Sequence, residues 1–347
     1  MRAFASDNYA GIHPEILSAI ADANVDHQIA YGEDDHTARL HDVFAKHFGE
    51  PIEVFPVFNG TGANVTALQS MLPPWGAVIC TNHAHIHTDE GGAPERVAGI
   101  KLLPVAAPDA KLTPELIDTE AFGWGFEHRA QPLVVSITQS TELGTIYTAD
   151  EIRAICDHAH SKGMLVHLDG ARIANAAAAL GQPLRAFTRD VGVDVISFGG
   201  TKNGLMLGEA VVVLNPEAAE GLTYVRKFNM QLASKMRFIS AQLIALLEGN
   251  LWLRNASHAN AMAARMRAAL ERAVAEGRAP GLAFTQPTQS NAVFVTLPKP
   301  VIPKLQAAVR FYDWDESLGE VRWMTSFDTT EADVDEFVDL VCTELSG

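Results

Sequence analysis

The stretch Val191–Leu214, VGVDVISFGGTKNGLMLGEAVVVL, decides how this chain reads. Val193 to Phe198 is a short apolar run with the length and β-branched content of a buried strand. Gly199, Gly200 and Thr201 then turn the chain to a single lysine, Lys202. Gly204 and Gly208 lead on into a second apolar run, Ala210 to Leu214. A long charged stem set between glycines at the mouth of a sheet has little packing value. It can offer an amine to whatever binds there, and amines form Schiff bases with carbonyl compounds. A solvent-facing loop lysine is the ordinary reading of such a residue in isolation, so the surrounding chain must decide.

Upstream, Met164 to Leu168 reads as a strand that delivers Asp169-Gly170-Ala171-Arg172. A carboxylate at the carboxyl end of a strand sits where α/β proteins bind ligands, although Asp169 would also serve as a helix cap. Arg172 presents a planar fork suited to a carboxylate or phosphate. Ile52 to Phe58 is another buried strand, followed by Asn59-Gly60-Thr61-Gly62-Ala63-Asn64 and the helical pattern VTALQSML. A glycine turn between strand and helix N-terminus gathers free backbone N–H groups for an anion. The turn alone is common in α/β proteins, and no Gly-Lys-Ser/Thr follows to make a Walker loop. Strands are also expected at Ala77 to Cys80, Lys101 to Val105 and Pro132 to Thr138. After Cys80 comes TNHAHIHTDEGGAPE. On an extended chain His83, His85 and His87 share one face. Such a face can hold a metal or supply one ring to stack on a flat cofactor. Stacking is favoured and no metal is assigned, because no distant His/Cys set completes a ligand group. Glu90 with Gly91-Gly92 looks like the start of a helix on the same rim.

Downstream the pattern changes. Asn215 to Glu248 reads as helical, with a basic stretch from Arg226 to Arg237, and Leu251 to Glu276 as one long helix. Strands at Ala292–Leu297, Ala307–Tyr312 and Val321–Ser326 alternate with helices near Ile302 and at Glu331–Leu345, which makes a small α+β domain. Arg322 lies among apolar neighbours on the last of these strands; the period allows it to face solvent or a cleft equally. The division predicted is residues 1–245 for a large domain with the N-terminal segment and 246–347 for the small one. A length of 347 residues suits two domains, and an apolar share of 48% is enough to build their cores. The net charge of −16 argues against nucleic acid or anionic membrane as a partner, while leaving room for a local basic pocket. Three widely spaced cysteines, Cys80, Cys156 and Cys342, point to a reducing cytoplasm. The opening MRAFASDNYAG carries no apolar leader, and no run reaches the length of a membrane span.

Taken in order, Asn59-Gly60-Thr61, His85, Asp169-Gly170-Ala171-Arg172 and Lys202 resemble the fold-type I pyridoxal 5'-phosphate (PLP) enzymes. Ser6-Asp7, Tyr31-Gly32-Glu33-Asp34 and Arg322…Asp328-Thr329 narrow the resemblance to the L-threonine aldolases, of the low-specificity or phenylserine branch, along the whole chain. The resemblance implies a transferase-like α/β large domain with a mostly parallel sheet and a smaller C-terminal α+β domain. It implies PLP on Lys202, Asp169 at the protonated ring nitrogen, His85 on the ring face, and Gly60 and Thr61 at the phosphate. Arg172 is expected among the residues at the cofactor. Ser6, Tyr31, Arg172 and Arg322 are expected to hold the amino-acid substrate. The implied reaction is retro-aldol cleavage of L-threonine, L-allo-threonine or a related L-β-hydroxy-α-amino acid, L-phenylserine included, to glycine and an aldehyde. A homo-oligomer, dimer or tetramer, with sites at the dimer interface is implied as well.

One segment departs from the family pattern. Where better-known members carry Thr-His-Asn after the strand ending at Thr138, this chain has Ser140-Thr141-Glu142. The general base is therefore open between His85, His87, Glu90 and a held water. The competing readings are a β-eliminating lyase or transaminase-like enzyme on the same fold, a non-catalytic ligand-binding relative, and a metal hydrolase using the three histidines. A Rossmann dehydrogenase is disfavoured because the full glycine fingerprint is missing.

Overall fold

A computed structural model of the chain describes residues 2–347. Seven strands form the main sheet: β1 (Glu53–Val57), β2 (Gly76–Thr81), β3 (Lys101–Val105), β4 (Gln131–Thr138), β5 (Leu165–Gly170), β6 (Val195–Gly199) and β7 (Glu209–Val213), in the order β1-β7-β6-β5-β4-β2-β3. Only β7 runs against its neighbours, so the carboxyl ends of the other strands share one edge. Strands β2, β6 and β7 are buried along their whole length. That is why they read as continuous apolar runs rather than as alternating ones: helices cover both faces of such a sheet. One face carries the aromatic cluster Phe44, Phe48 and Phe198. Against the other lies the helix Gly60–Met71, almost entirely buried. The expected α/β architecture is what the chain adopts.

A second, antiparallel sheet has the order β10-β11-β9-β8, built from β8 (Ala283–Phe284), β9 (Ala292–Thr296), β10 (Tyr312–Asp315) and β11 (Glu320–Met324). Its core centres on Trp323, whose ring meets Phe337 edge-on at 5.0 Å. The two cores change over inside the helix Leu251–Ala275. Leu251, Trp252 and Ala256 pack into the first core, and Met262, Met266 and Leu270 into the second, a little beyond the division at 245/246. Phe4 also belongs to the second core, and its carbonyl accepts from Met324 N–H. This contact carries residues 6–9 back across the edge of the large sheet.

Two expectations fail locally. Asn215–Glu248 is not one helix but Leu222–Phe228 and Arg237–Glu248, joined through Met230 at φ +61°. The strand expected at Ala307–Tyr312 begins only at Tyr312. Pro303 near the start of the helix Ile302–Ala308 suits its first turn, and the helix runs on through both alanines.

Candidate active site

The glycine turn does what its sequence allows. Asn59 caps the helix Gly60–Met71 by accepting from Gly62 N–H at 2.7 Å. The helix N-terminus opens on a cavity of about 350 Å³ lined by Gly60, Thr61, His85, Asp169, Ser197 and Lys202. No acid occupies the first turn, so the end of the dipole stays positive.

Lys202 sits in a short turn, Thr201–Asn203, between β6 and β7. The turn lies tight against the end of β5. A Cβ on Gly199 would stand 2.4 Å from the Ala171 carbonyl oxygen. The carboxylate of Glu209 accepts from Gly200 N–H at 2.5 Å and pins the turn. Burial, and then the guanidinium of Arg172, push the Lys202 amine below its ordinary pKa. A lysine so shifted holds more of the neutral, nucleophilic form. Asp169 stands on β5 in register with Thr138 on β4 and Ser197 on β6. Asp169 Oδ1 accepts from Ala171 N–H at 3.0 Å and Oδ2 from Asn64 at 2.9 Å.

The histidine segment is not extended. His85–Thr88 is a helical turn, so the alternation does not place three rings on one face. His83 lines a separate cleft, while His85 alone lines the cavity. His85 Nδ1 is 2.9 Å from Glu90 Oε1, a bond that raises the pKa of the imidazole. Asn64 Nδ2 ties Glu90 Oε1 (2.8 Å) to Asp169, so one buried amide joins the acids behind the cavity. Glu142 completes the wall. Its Oε1 accepts from His85 N–H and from Thr138 Oγ1, each at 2.9 Å, and burial together with Asp169 pushes its carboxyl up to about 7.

The arginines are placed unequally. Arg172 is largely enclosed, its side chain 14% exposed, and holds Asp7 with two bonds, Nε to Oδ2 at 2.7 Å and Nη2 to Oδ1 at 2.9 Å. Burial opposes ionisation of Asp7, yet the guanidinium overrides it and holds the carboxyl at about 2. The guanidinium expected to be open to a ligand is thus already committed along that edge to the N-terminal segment. Arg322 faces a cleft of about 730 Å³ between the sheets' edges, with Trp314 beneath it at 5.0 Å from the ring centroid. Its Nε is buried without a partner, and burial, then Arg172, pull its pKa down to about 10. Ser6 and Tyr31 depart from expectation. Ser6 Oγ caps the turn Asp7–Tyr9 by accepting from Asn8 N–H at 3.2 Å, and it lines neither the cavity nor the cleft. Tyr31 is on the surface at φ +62°, with the Lys227 ammonium over its ring.

Asp7, Asn64 and Glu142 join the site beyond the residues singled out for it, while Glu90, already a candidate base, takes its place behind His85. Asp7 and Glu142 stand beside expected site segments, so proximity was a usable signal for them. Asn64 lies in a helix buried on every side, where no periodicity singles it out.

With this geometry in place, the relatives can be set beside it. The beta-eliminating lyase family model matches residues 3–298, and the chain belongs to that family. It is 45% identical to the low specificity L-threonine aldolase of Pseudomonas sp. (strain NCIMB 10558), over 96% of this chain and 95% of that one. It is 44% identical to the protein of the same name from Pseudomonas aeruginosa, over 94% and 93%. The solved Leishmania major threonine aldolase superposes with a TM-score of 0.92 at 30% identity, over 99% and 100% of the two chains. This membership implies PLP, and the residues present fit it. The helix N-terminus offers amides to a phosphate, Asp169 offers an acceptor, and Lys202 an amine on the same cavity. Buried oxygens without partners also gather there: Asn64 Oδ1, Glu90 Oε2, Ser140 Oγ and Glu142 Oε2 all belong to residues around one recess beside Lys202.

Proposed function

We propose that the protein cleaves L-threonine, L-allo-threonine and related L-β-hydroxy-α-amino acids, L-phenylserine among them, to glycine and an aldehyde. One observation carries this reading: Lys202, Asp169, His85 and the amides of Gly60 and Thr61 line a single cavity in a chain with the relatives above. Bound PLP supplies an electron sink for the pair left at Cα when the Cα–Cβ bond breaks. Lys202 would hold the cofactor through its amine, whose lowered pKa favours the nucleophile. Asp169, fixed by two N–H donors, would hold a proton at the ring nitrogen. His85, locked by Glu90, would cover the ring. Arg322, over its cleft and with Nε unpartnered, is the better placed of the two arginines to receive the substrate carboxylate. Arg172 would act beside it while anchoring Asp7.

We assign the protein to the reducing cytoplasm, in keeping with three buried free thiols. Among the described residues no helix is long and apolar enough to cross a membrane. We also propose a homo-oligomer, dimer or tetramer, joined near the glycine turn. There Tyr224, Phe228, Met230 and Tyr31 expose large apolar surfaces, and Gln231 reaches Phe58 N–H. Tyr31 would then serve a neighbouring subunit.

The test is to supply purified protein with PLP and to follow glycine, aldehyde and 2-oxo acid (2-oxobutanoate from the threonines, phenylpyruvate from phenylserine) from L-threonine, L-allo-threonine and L-phenylserine. Glycine with aldehyde is expected; the 2-oxo acid with ammonia in their place would make the protein a β-eliminating lyase. In the same assay Lys202→Ala is expected to lose both turnover and the visible absorbance of lysine-bound cofactor. Full activity in that variant would remove Lys202 from its role.

A further inference from the structure

Three groups near the cavity could move a proton: His85, Glu90, which stands behind it and holds it through Oε1, and Glu142. His85 is committed. Its Nδ1 is bonded to Glu90, and that bond favours the charged imidazolium, which is a poor proton acceptor. Glu142 is only half committed. Its Oε1 takes the bonds from His85 N–H and Thr138 Oγ1, while its Oε2 is buried with no partner. The residue lines a recess of about 50 Å³ shared with Lys202, Arg172, Asp169 and His85. Capping the His85 amide needs one acceptor oxygen, which an amide side chain would provide as well. A second carboxylate oxygen buried bare costs free energy with no structural return. A carboxyl in that state on the wall of a catalytic cavity is poised for a proton.

We propose that Glu142 is the group that takes the substrate's β-hydroxyl proton during carbon–carbon cleavage. As a carboxylate, Glu142 accepts the proton at Oε2, and the O–H pair becomes the second bond of the aldehyde carbonyl. The Cα–Cβ pair stays with the carbon that becomes glycine, and that carbon takes its proton from water. Glycine and aldehyde then account for every atom of the substrate. The charged and titratable groups around Glu142 are Asp169 on β5, Arg172 after it, Lys202 after β6, His85 and Glu90 on the histidine turn, and more distantly Cys80 and Tyr147. Burial and Asp169 outweigh the rest and leave the carboxyl at about 7, where both protonation states are populated near neutral pH.

This proposal rests on the aldol reading, and the experiment separates the two. Holoenzyme and its Glu142→Gln variant are compared in L-threonine cleavage and in exchange of the glycine α-hydrogen with D₂O, which involves no β-hydroxyl. The amide keeps the cap on His85 but cannot take a proton. The ratio of cleavage to exchange is expected to fall about 10²–10⁴-fold in Glu142→Gln, with the cofactor's visible absorbance retained. The protonated-carboxyl infrared absorption that titrates near pH 7, to which Glu142 and the buried Glu209 both contribute, is expected to lose intensity in the substrate-free variant. An unchanged ratio, an equal loss of both reactions, or an undiminished infrared absorption would overturn the proposal. Should Glu142→Gln fail to fold, Thr138→Val removes one donor from the carboxylate and so raises its pKa. The acid limb of the cleavage profile is then expected to move to higher pH, and an unmoved limb would refute the role. If the parent enzyme exchanges glycine but cleaves no β-hydroxy amino acid, the aldol reading fails and takes this proposal with it.

Discussion

Substituting Gly199 by alanine tests whether the Lys202 turn is held by backbone contact. The new Cβ would lie 2.4 Å from the Ala171 carbonyl oxygen and 2.7 Å from its C and Cα atoms. That is about 1 Å inside ordinary contact. The opposing atoms are backbone, so no side chain can rotate away, and β6 must part from the end of β5. Overpacking of this kind costs about 1–3 kcal/mol. The displacement also reaches function, because Lys202 follows three residues later while Asp169 stays on β5. A misplacement of ~1 Å between reacting groups can cost ~10²-fold in rate. The assay pairs thermal unfolding with kcat for glycine release at saturating PLP, and Gly60→Ala is the contrast. A Cβ at Gly60 meets nothing within 4 Å and stands at the cavity's edge. That variant is expected to melt no lower than the parent, since alanine favours a helix over glycine by up to about 1 kcal/mol, yet to bind PLP more weakly. Gly199→Ala is expected to melt lower and turn over more slowly. If Gly199→Ala matched the parent in both, the close approach of β5 and β6 would not position the lysine.

Three further expectations can be checked together. Asp7→Asn leaves the Arg172 charge buried without its partner and should cost about 3–5 kcal/mol at pH 7 in urea unfolding. Because Asp7 is depressed to about 2 from 3.8, the ionised pair's contribution is complete above pH 3.8 and is lost as pH falls toward 2. A gap between parent and variant that stayed constant across that window would contradict the pairing. Arg322→Ala should raise KM for the amino acid and lower kcat while PLP stays bound; unchanged kinetics would remove Arg322 from the substrate cleft. Glu90→Gln should lower the His85 pKa, read by NMR titration of the ring. The His85–Glu90 bond stabilises the fold at pH below about 6.5 and fades as pH rises through the raised pKa of His85. A His85 pKa that did not move would break the link to Glu90.

The strands of the large sheet, the glycine turn and the places of Lys202, Asp169 and His85 could be read from sequence alone. The reason is local. A sheet covered on both faces needs unbroken apolar runs, and ligands meet the ends of such strands, so the polar residues that follow the runs stand out. What failed also failed for local reasons. The alternation of His83, His85 and His87 implied an extended chain, but His85 to Thr88 wind into a helical turn. Ser6, expected at the substrate, here caps the turn Asp7–Tyr9 through its hydroxyl. Other features came only with tertiary structure, because they join residues far apart in the chain. Asp7 reaches Arg172 across 165 positions and takes up two of its nitrogens. Asn64 links Glu90 to Asp169. Glu142, which the sequence shows only as part of a segment that departs from the family pattern, becomes a buried carboxyl near neutrality only because folding removes its water and brings Asp169 close. Residue type is encoded one position at a time, whereas desolvation and charge proximity belong to the packed whole.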